Sequence, residues 1–364
     1  MNPLPLHEFH AGLNARFIEV NGEEVVASYG DAFAEHRALC ESAGVLDLSL
    51  RSRLCLTGAD QIAFLHGQVT NDIKALRVGG GCYAALVTNK GRMQSDLQVW
   101  RLPDELLLDF EPGLSRAVAE RLEKFIVADD VQVVDVAPHF GLLSVQGPRA
   151  VEVIRALTLP VELPLTPNTS ATFTDATLGQ VYVMNLPRLG STGFDLFVPT
   201  DSLAAVADKL IAAASQLGGR ACGWDALEIA RIEAGIPRFG ADLDETTLPP
   251  EAGAGFDARA VSYTKGCYIG QEVLNRIRTI GHVNRQLAGV RLADDLTALP
   301  ARGVKLLKDG KEVGFITTAA RSPLLNKNIA LGFLRREVVA AGTELQARTA
   351  GGEHSATVVP LPFA

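Results

Sequence analysis

Several things are scarce in this sequence. No stretch approaches the ~18 consecutive apolar residues that a membrane-spanning helix needs. The opening MNPLPLHEFHAG lacks a basic region followed by an apolar run, so no export signal is expected. Cysteine is rare: Cys40, Cys55, Cys82, Cys222 and Cys267 are odd in number and widely spaced, with no CxxC pair and no Cys/His cluster. That pattern argues against a disulfide framework or a structural zinc site and for a reducing, cytoplasmic setting. A basic cluster is missing too. The 34 lysines and arginines are scattered among 42 acidic residues, for a net charge of −8, so nothing marks a surface for duplex nucleic acid. An anion could still be held, in a local basic pocket.

What is present is the composition of an ordinary soluble globular protein, 364 residues long and 47% hydrophobic, enough for two or three domains. Two segments share an order of elements. RLCLTGADQIAFLHGQV (53–69) reads as a strand, a turn at Gly58 and an amphipathic helix. GLLSVQGPRAVEVIRAL (141–157) repeats this, with Gly147 at the turn 89 residues on. Downstream of each comes a second strand-turn-helix unit, turning at Pro112 and at Pro199, 87 residues apart. Val118, Leu122 and Phe125 space one apolar helix face; Leu203, Val206 and Leu210 space the other. The pattern predicts two copies of an α+β unit, about 50–135 and 136–284, each an antiparallel sheet with helices on one face. From residue 285 to 364, short β-rich pieces recur without a long helix, which predicts a small β-barrel or sandwich.

Three places could carry chemistry. GCYAALVTNKGRMQSDLQVW (81–100) reads as a hairpin turning at Asn89-Lys90-Gly91. Alternation sets Gln94, Asp96, Gln98 and Trp100 on one face. By itself the alternation favours a solvated sheet face; a pocket offering a carboxylate to the N–H groups of a flat heterocycle is the alternative. In GWDALEIARIEAGIPRFGADL (223–243), Asp225 can cap or open a helix ending near Gly235. There Arg231 either pairs with Glu228 at the surface or points inward to a ligand carboxylate. In YTKGCYIGQEVL (263–274), glycines flank Cys267, and Lys265, Arg276 and Arg278 would favour a thiolate. A helix starting at Gln271 would add its dipole. A buried, inert cysteine is the other reading, and the remaining four cysteines are expected to be core or partly buried.

KGCYIGQE (Lys265, Gly266, Cys267, Tyr268, Ile269, Gly270, Gln271, Glu272) resembles the signature of YgfZ-type folate-binding proteins, and RIEAGIPRFGADL, TLPPEAG and Arg276 follow the order of that group. More widely, the chain is similar to the glycine-cleavage T-protein, a tetrahydrofolate-dependent aminomethyltransferase. VASYGDAFAEHRALCESAGVLDLS, FLHGQVTNDI, YAALVTNKGRMQSDL, LLSVQGPRA and IALGFLRREVVAAGTEL carry this likeness, which covers nearly the whole sequence from about residue 7.

The resemblance implies two ferredoxin-like units, together residues 1–284, and a C-terminal β-barrel, 285–364, in a ring around a folate channel. It implies pterin contacts at Tyr83 and Asp96, with Asp195 and Arg231 matching further cofactor-binding positions. The expected cofactor is tetrahydrofolate or a one-carbon-substituted form. Departures from the T-protein are the replacement of Asp-Val-Ser-His-Met by LDLSLR, a shortened STG run without its tyrosine, and Ser95-Asp96 in place of a double aspartate. These count against aminomethyl transfer from a lipoyl carrier, not against folate binding. The expectation is therefore a cytoplasmic, monomeric protein that supports iron–sulfur assembly or repair. It would bind folate and work with iron–sulfur client or assembly proteins. Cys267 is its candidate catalytic thiolate or transient ligand and Asp96 its second candidate catalytic group. A folate-dependent one-carbon transferase is the alternative.

Overall fold

The computed structural model describes residues 1–363. Contacts divide the chain into two units. The first comprises 1–68, 72–83 and 97–230; the second comprises 69–71, 84–96 and the chain from Arg231 onward.

The first unit opens with helix α1 (His7–Gly12), strands β1 (Arg16–Val20) and β2 (Glu23–Ser28), helix α2 (Ala32–Glu41) and strand β3 (Gly44–Asp47). Asp31 caps α2, accepting the Phe33 and Ala34 N–H groups at 3.0 Å each. The first copy of the repeat then runs β4 (Ser52–Thr57), α3 (Gln61–Gln68), β5 (Gly81–Val87), β6 (Met93–Arg101), β7 (Leu106–Phe110), α4 (Ser115–Glu123), β8 (Gln132–Asp135). The second runs β9 (Phe140–Gln146), α5 (Ala150–Arg155), β10 (Ser170–Asp175), β11 (Gly179–Asn185), β12 (Gly193–Pro199), α6 (Thr200–Gln216), β13 (Arg220–Ala221).

The two copies match element for element, and so do their sheets. The first sheet is ordered β5-β6-β7-β4-β8, the second β10-β11-β12-β9-β3-β13. One strand breaks the match: β3 inserts between β9 and β13, antiparallel to the former and parallel to the latter. The repeat signal lay in two glycines for a steric reason. Gly58 has φ +102°, and a Cβ there would stand 2.1 Å from the Asp130 carbonyl oxygen. Gly147 has φ +126°, with the Ser42 carbonyl oxygen at 2.6 Å. Only glycine tolerates either place.

A core cluster combines Cys55, Trp100 and Leu107 of the first sheet with Leu142, Tyr182 and Phe197 of the second. A second cluster joins Val145 and Leu196 to Ile154, Leu203 and Leu210 of α5 and α6. Side chains of this kind contribute roughly 1.5–3 kcal/mol each when fully buried. Val118 and Leu122 are buried as the spacing predicts, but Phe125 lies beyond α4 and is exposed, under the Arg121 guanidinium.

In the second unit, helix α7 (Trp224–Glu233) straddles the division and ends before Gly235, whose φ is +67°. Helices α8 (Ala254–Ala260) and α9 (Gln271–Thr279) follow. Then come β14 (Arg285–Leu292), β15 (Lys305–Lys308), β16 (Lys311–Ser322), β17 (Lys327–Arg335), β18 (Glu344–Thr349) and β19 (Gly352–Val359). Of the two expectations, barrel or sandwich, the barrel is correct: it is closed, in the order β14-β17-β16-β15-β18-β19, around Val290, Leu306, Ile316, Ala330, Leu334 and Val358. Closure pairs every strand on both sides and leaves no sheet edge. Among the described residues no helix is long and apolar enough to cross a membrane.

Candidate functional site

The hairpin of β5 and β6 turns as expected, with the Gly91 N–H donating to Thr88 O and φ +71° at Gly91. Its polar face is not solvated, which corrects the simpler reading of the alternation. Asp96, Gln98 and Trp100 are all buried, and only Gln94 on that face is partly exposed. Alternation says which residues share a face; it cannot say what covers it. Asp96 is thus a carboxylate in a buried setting, while Tyr83 on β5 is half-buried.

Asp195 lies in the first unit, on β12, and is 1% exposed. Arg188, in the connection from β11, grips it: Nε donates to Oδ2 at 2.9 Å and to Oδ1 at 3.2 Å, and Nη2 donates to Oδ2 at 2.6 Å. Nη2 also donates to Asp109 Oδ2 on β7 at 2.6 Å. Arg51 continues the chain, its Nε on Asp109 Oδ1 and its Nη1 on Glu111 Oε1, both at 2.7 Å. Five charged groups thus alternate in sign. Burial pushes the Asp109 carboxyl up, but Arg51 and Arg188 outweigh it and hold the group below its ordinary value. For Asp195, burial wins and the carboxyl is raised, with Arg188 pulling the other way.

Arg231 lies in the second unit, buried at 4% exposure. It is not at the surface. Its Nη1 donates to Asp242 Oδ2 at 2.7 Å and to Ile236 O at 3.1 Å. Asp242 also accepts the hydroxyls of Thr317 and Thr318 on β16, at 2.5 and 2.7 Å, and the Arg238 N–H at 3.1 Å. Asp225 sits in the first turn of α7 and pairs with Arg16.

The KGCYIGQE stretch lies in the second unit as well. Cys267 is exposed, so the inert buried reading fails. A helix does begin at Gln271, capped by Gly270 at φ +86°. A Cβ on Gly270 would stand 2.6 Å from Thr88 O, and one on Gly91 would meet Val273 and Leu274. The motif is therefore packed on the hairpin turn, and both glycines are there for close approach. Lys265 is turned into the protein. Its ammonium is buried and donates to Val69 O and Asn71 O, each at 2.8 Å, with the Tyr268 ring 4.8 Å away. Arg278 is likewise occupied, stacked 4.1 Å over the Tyr263 ring. Tyr268 is buried, with no hydrogen-bond partner for its hydroxyl among the described residues. Burial, then Asp257, push that hydroxyl up to about 12. Gly266 and Glu272 are exposed, and Gln271 is partly so. Of the other cysteines, Cys55 and Cys222 are buried and Cys82 is intermediate, but Cys40 is exposed, its Sγ 3.5 Å from His36 Nε2 one turn earlier.

Arg51, Asp109, Arg188 and Asp242 were not anticipated. The available signal was a charge inside an apolar strand, as in LLLDF. Such a charge must find a partner or a ligand.

The chain is thus a doubled sheet-and-helix unit followed by a closed six-stranded barrel, with a buried carboxylate in the hairpin of β5 and β6. The GCVT N-terminal domain model matches residues 6–263, and the glycine cleavage T-protein C-terminal barrel domain model matches 285–364. The chain belongs to the glycine cleavage T-protein family. It is 31% identical over 362 residues to an aminomethyltransferase of Geobacillus kaustophilus, covering 99% of this chain and 97% of that one. The figure is 32% over 368 residues for an aminomethyltransferase of Symbiobacterium thermophilum, covering 99% and 96%. In fold it is similar to the glycine cleavage system aminomethyltransferase T of Bartonella henselae, with a TM-score of 0.88 at 24% identity over 100% of this chain and 98% of that one. The family uses tetrahydrofolate.

The residues present fit a reduced pterin in part. Asp96 has the acceptor chemistry that ring N–H groups require. Asp195 and Arg231 instead hold protein groups.

Proposed function

We propose that this protein binds tetrahydrofolate, or a one-carbon-substituted form of it, and acts as an aminomethyltransferase-type one-carbon transferase. The observation that carries this reading is the full-length match to aminomethyltransferases, with both domain models present in order. Tetrahydrofolate, when bound, supplies the nitrogen nucleophile that takes up the one-carbon unit. Asp96 accepts the ring N–H groups, and its burial strengthens those bonds by excluding water. Tyr83 lies along the same hairpin and adds a flat surface. Arg231 orders the chain around Asp242 rather than touching ligand. The setting is the cytoplasm and the protein works as a monomer. The test is titration with tetrahydrofolate, followed by assay of methylene-tetrahydrofolate formation from an aminomethyl-loaded carrier protein. Turnover that Asp96→Asn abolishes is expected; tight folate binding with no turnover across candidate donors would remove the transferase step.

A second reading, support of iron–sulfur proteins in the manner of the YgfZ-type group, is favoured by one observation: the exposed Cys267 on a motif packed against the hairpin turn. One such thiol cannot hold a cluster alone, so a client, an assembly protein or a second chain would share it. Cys267→Ser that restores cluster-enzyme activity in a deletion strain as well as wild type would end this reading. Asp96→Asn in the same assay reports whether folate matters to it.

A further inference from the structure

Donor and acceptor counts in the first unit point away from the expected cofactor contact. A carboxylate offers about four lone-pair sites. Asp195 receives three contacts from Arg188, at 1% exposure. It is gripped by Arg188 and closed off from solvent.

Arg188 is the reverse case. A guanidinium carries five N–H donors. The one on Nε and the two on Nη2 go to Asp195 and Asp109. The two on Nη1 meet no acceptor among the described residues. The side chain is 14% exposed, and Nη1 is not among the buried unpartnered atoms, so it reaches solvent. The group is also held still. Two carboxylates fix the guanidinium, and the Arg188 N–H donates to Gln146 Oε1 at 3.0 Å. Gly193 makes room for that glutamine, since a Cβ there would stand 2.0 Å from Gln146 Oε1.

We propose that Arg188, not Asp195, is the ligand-recognising group at this position, its Nη1 donating to an oxygen of the bound folate, either the ring carbonyl or a glutamate carboxylate. Donor chemistry replaces the acceptor chemistry that an aspartate would supply, and Asp195 and Asp109 become the positioning residues behind it. This inference rests on the folate reading above.

The experiment measures tetrahydrofolate affinity of wild type, Arg188→Lys and the double variant Arg188→Gln/Asp195→Asn. Lysine keeps a charge but loses the fork, and the double variant leaves no lone buried charge, so one of the two keeps the fold if the other does not. Thermal unfolding of each confirms the fold. Both variants are expected to bind about tenfold more weakly or worse, the cost of a charge-assisted hydrogen bond. Two analogues locate the oxygen: a 4-amino compound without the ring carbonyl, and a pteroate without the glutamate. The analogue lacking the contacted oxygen should bind wild type and variants alike, within about twofold. A folded variant that binds tetrahydrofolate as tightly as wild type overturns the assignment, as does an equal loss for every analogue, which would mark a purely structural effect. Wild type that binds no tetrahydrofolate removes the folate reading and this inference with it.

Discussion

Two buried charge centres occupy the two units, and they are built differently. In the second unit, Asp242 gathers Arg231, two threonine hydroxyls and a backbone N–H, with Arg231 at 4% and Asp242 at 1% exposure. Everything in that centre faces protein. In the first unit, the alternating chain from Asp195 to Glu111 ends its carboxylates inside, but its arginines keep 11% and 14% exposure. A closed centre serves the fold; a centre with reachable donors can serve a ligand as well.

The difference can be broken at its strongest point first. Asp242→Asn leaves Arg231 buried with its main partner gone, and is expected to cost about 3–5 kcal/mol in denaturant unfolding. Arg188→Lys, at a partly solvated site, should cost clearly less; equal costs would dissolve the contrast between the centres. Next, Gly58→Ala and Gly147→Ala should each destabilise by about 1–3 kcal/mol, since both glycines combine positive φ with a carbonyl in the way. A neutral result at one of them would mean that the two copies turn by different means.

Lys265→Met orphans two buried carbonyls, at about 1–3 kcal/mol. The alkylation rate of Cys267 by iodoacetamide should nonetheless change by less than about twofold, because that ammonium is committed to backbone oxygens. A tenfold fall would return Lys265 to the role of thiolate activator. The smallest difference to be read is one of slope, in acid. Asp109 has its folded-state value depressed, so it contributes stability that is present above the unfolded carboxylate value and lost as pH falls through the folded one. Asp109→Asn should therefore flatten the stability profile below about pH 4. An unchanged acid limb would mean that the arginines do not hold that charge.

Much of the architecture was legible beforehand. Gly58 and Gly147 marked the repeat because backbone sterics admit no other residue there, and steric demands of that kind are written locally. The hairpin turn, the start of α9 and the barrel were readable for the same reason, each being signalled by residues adjacent in sequence. β3 was not readable. Its place between β9 and β13 pairs segments about 100 and 175 residues apart. The site divides along the same line: Asp96 and Cys267 were picked out by alternation and by flanking glycines, whereas Arg188 stood in PRLGSTG without distinction.

Composition, periodicity and glycine placement were enough to define the doubled α+β plan, a β-rich terminal domain, and Asp96, Arg231 and Cys267 as residues worth examining; family resemblance added Tyr83 and Asp195. Only the tertiary structure decided which of those residues are spent on the protein itself. An ion pair or a covered sheet face depends on side chains brought together from distant strands, and the geometry of that meeting is set by packing, not by any local pattern.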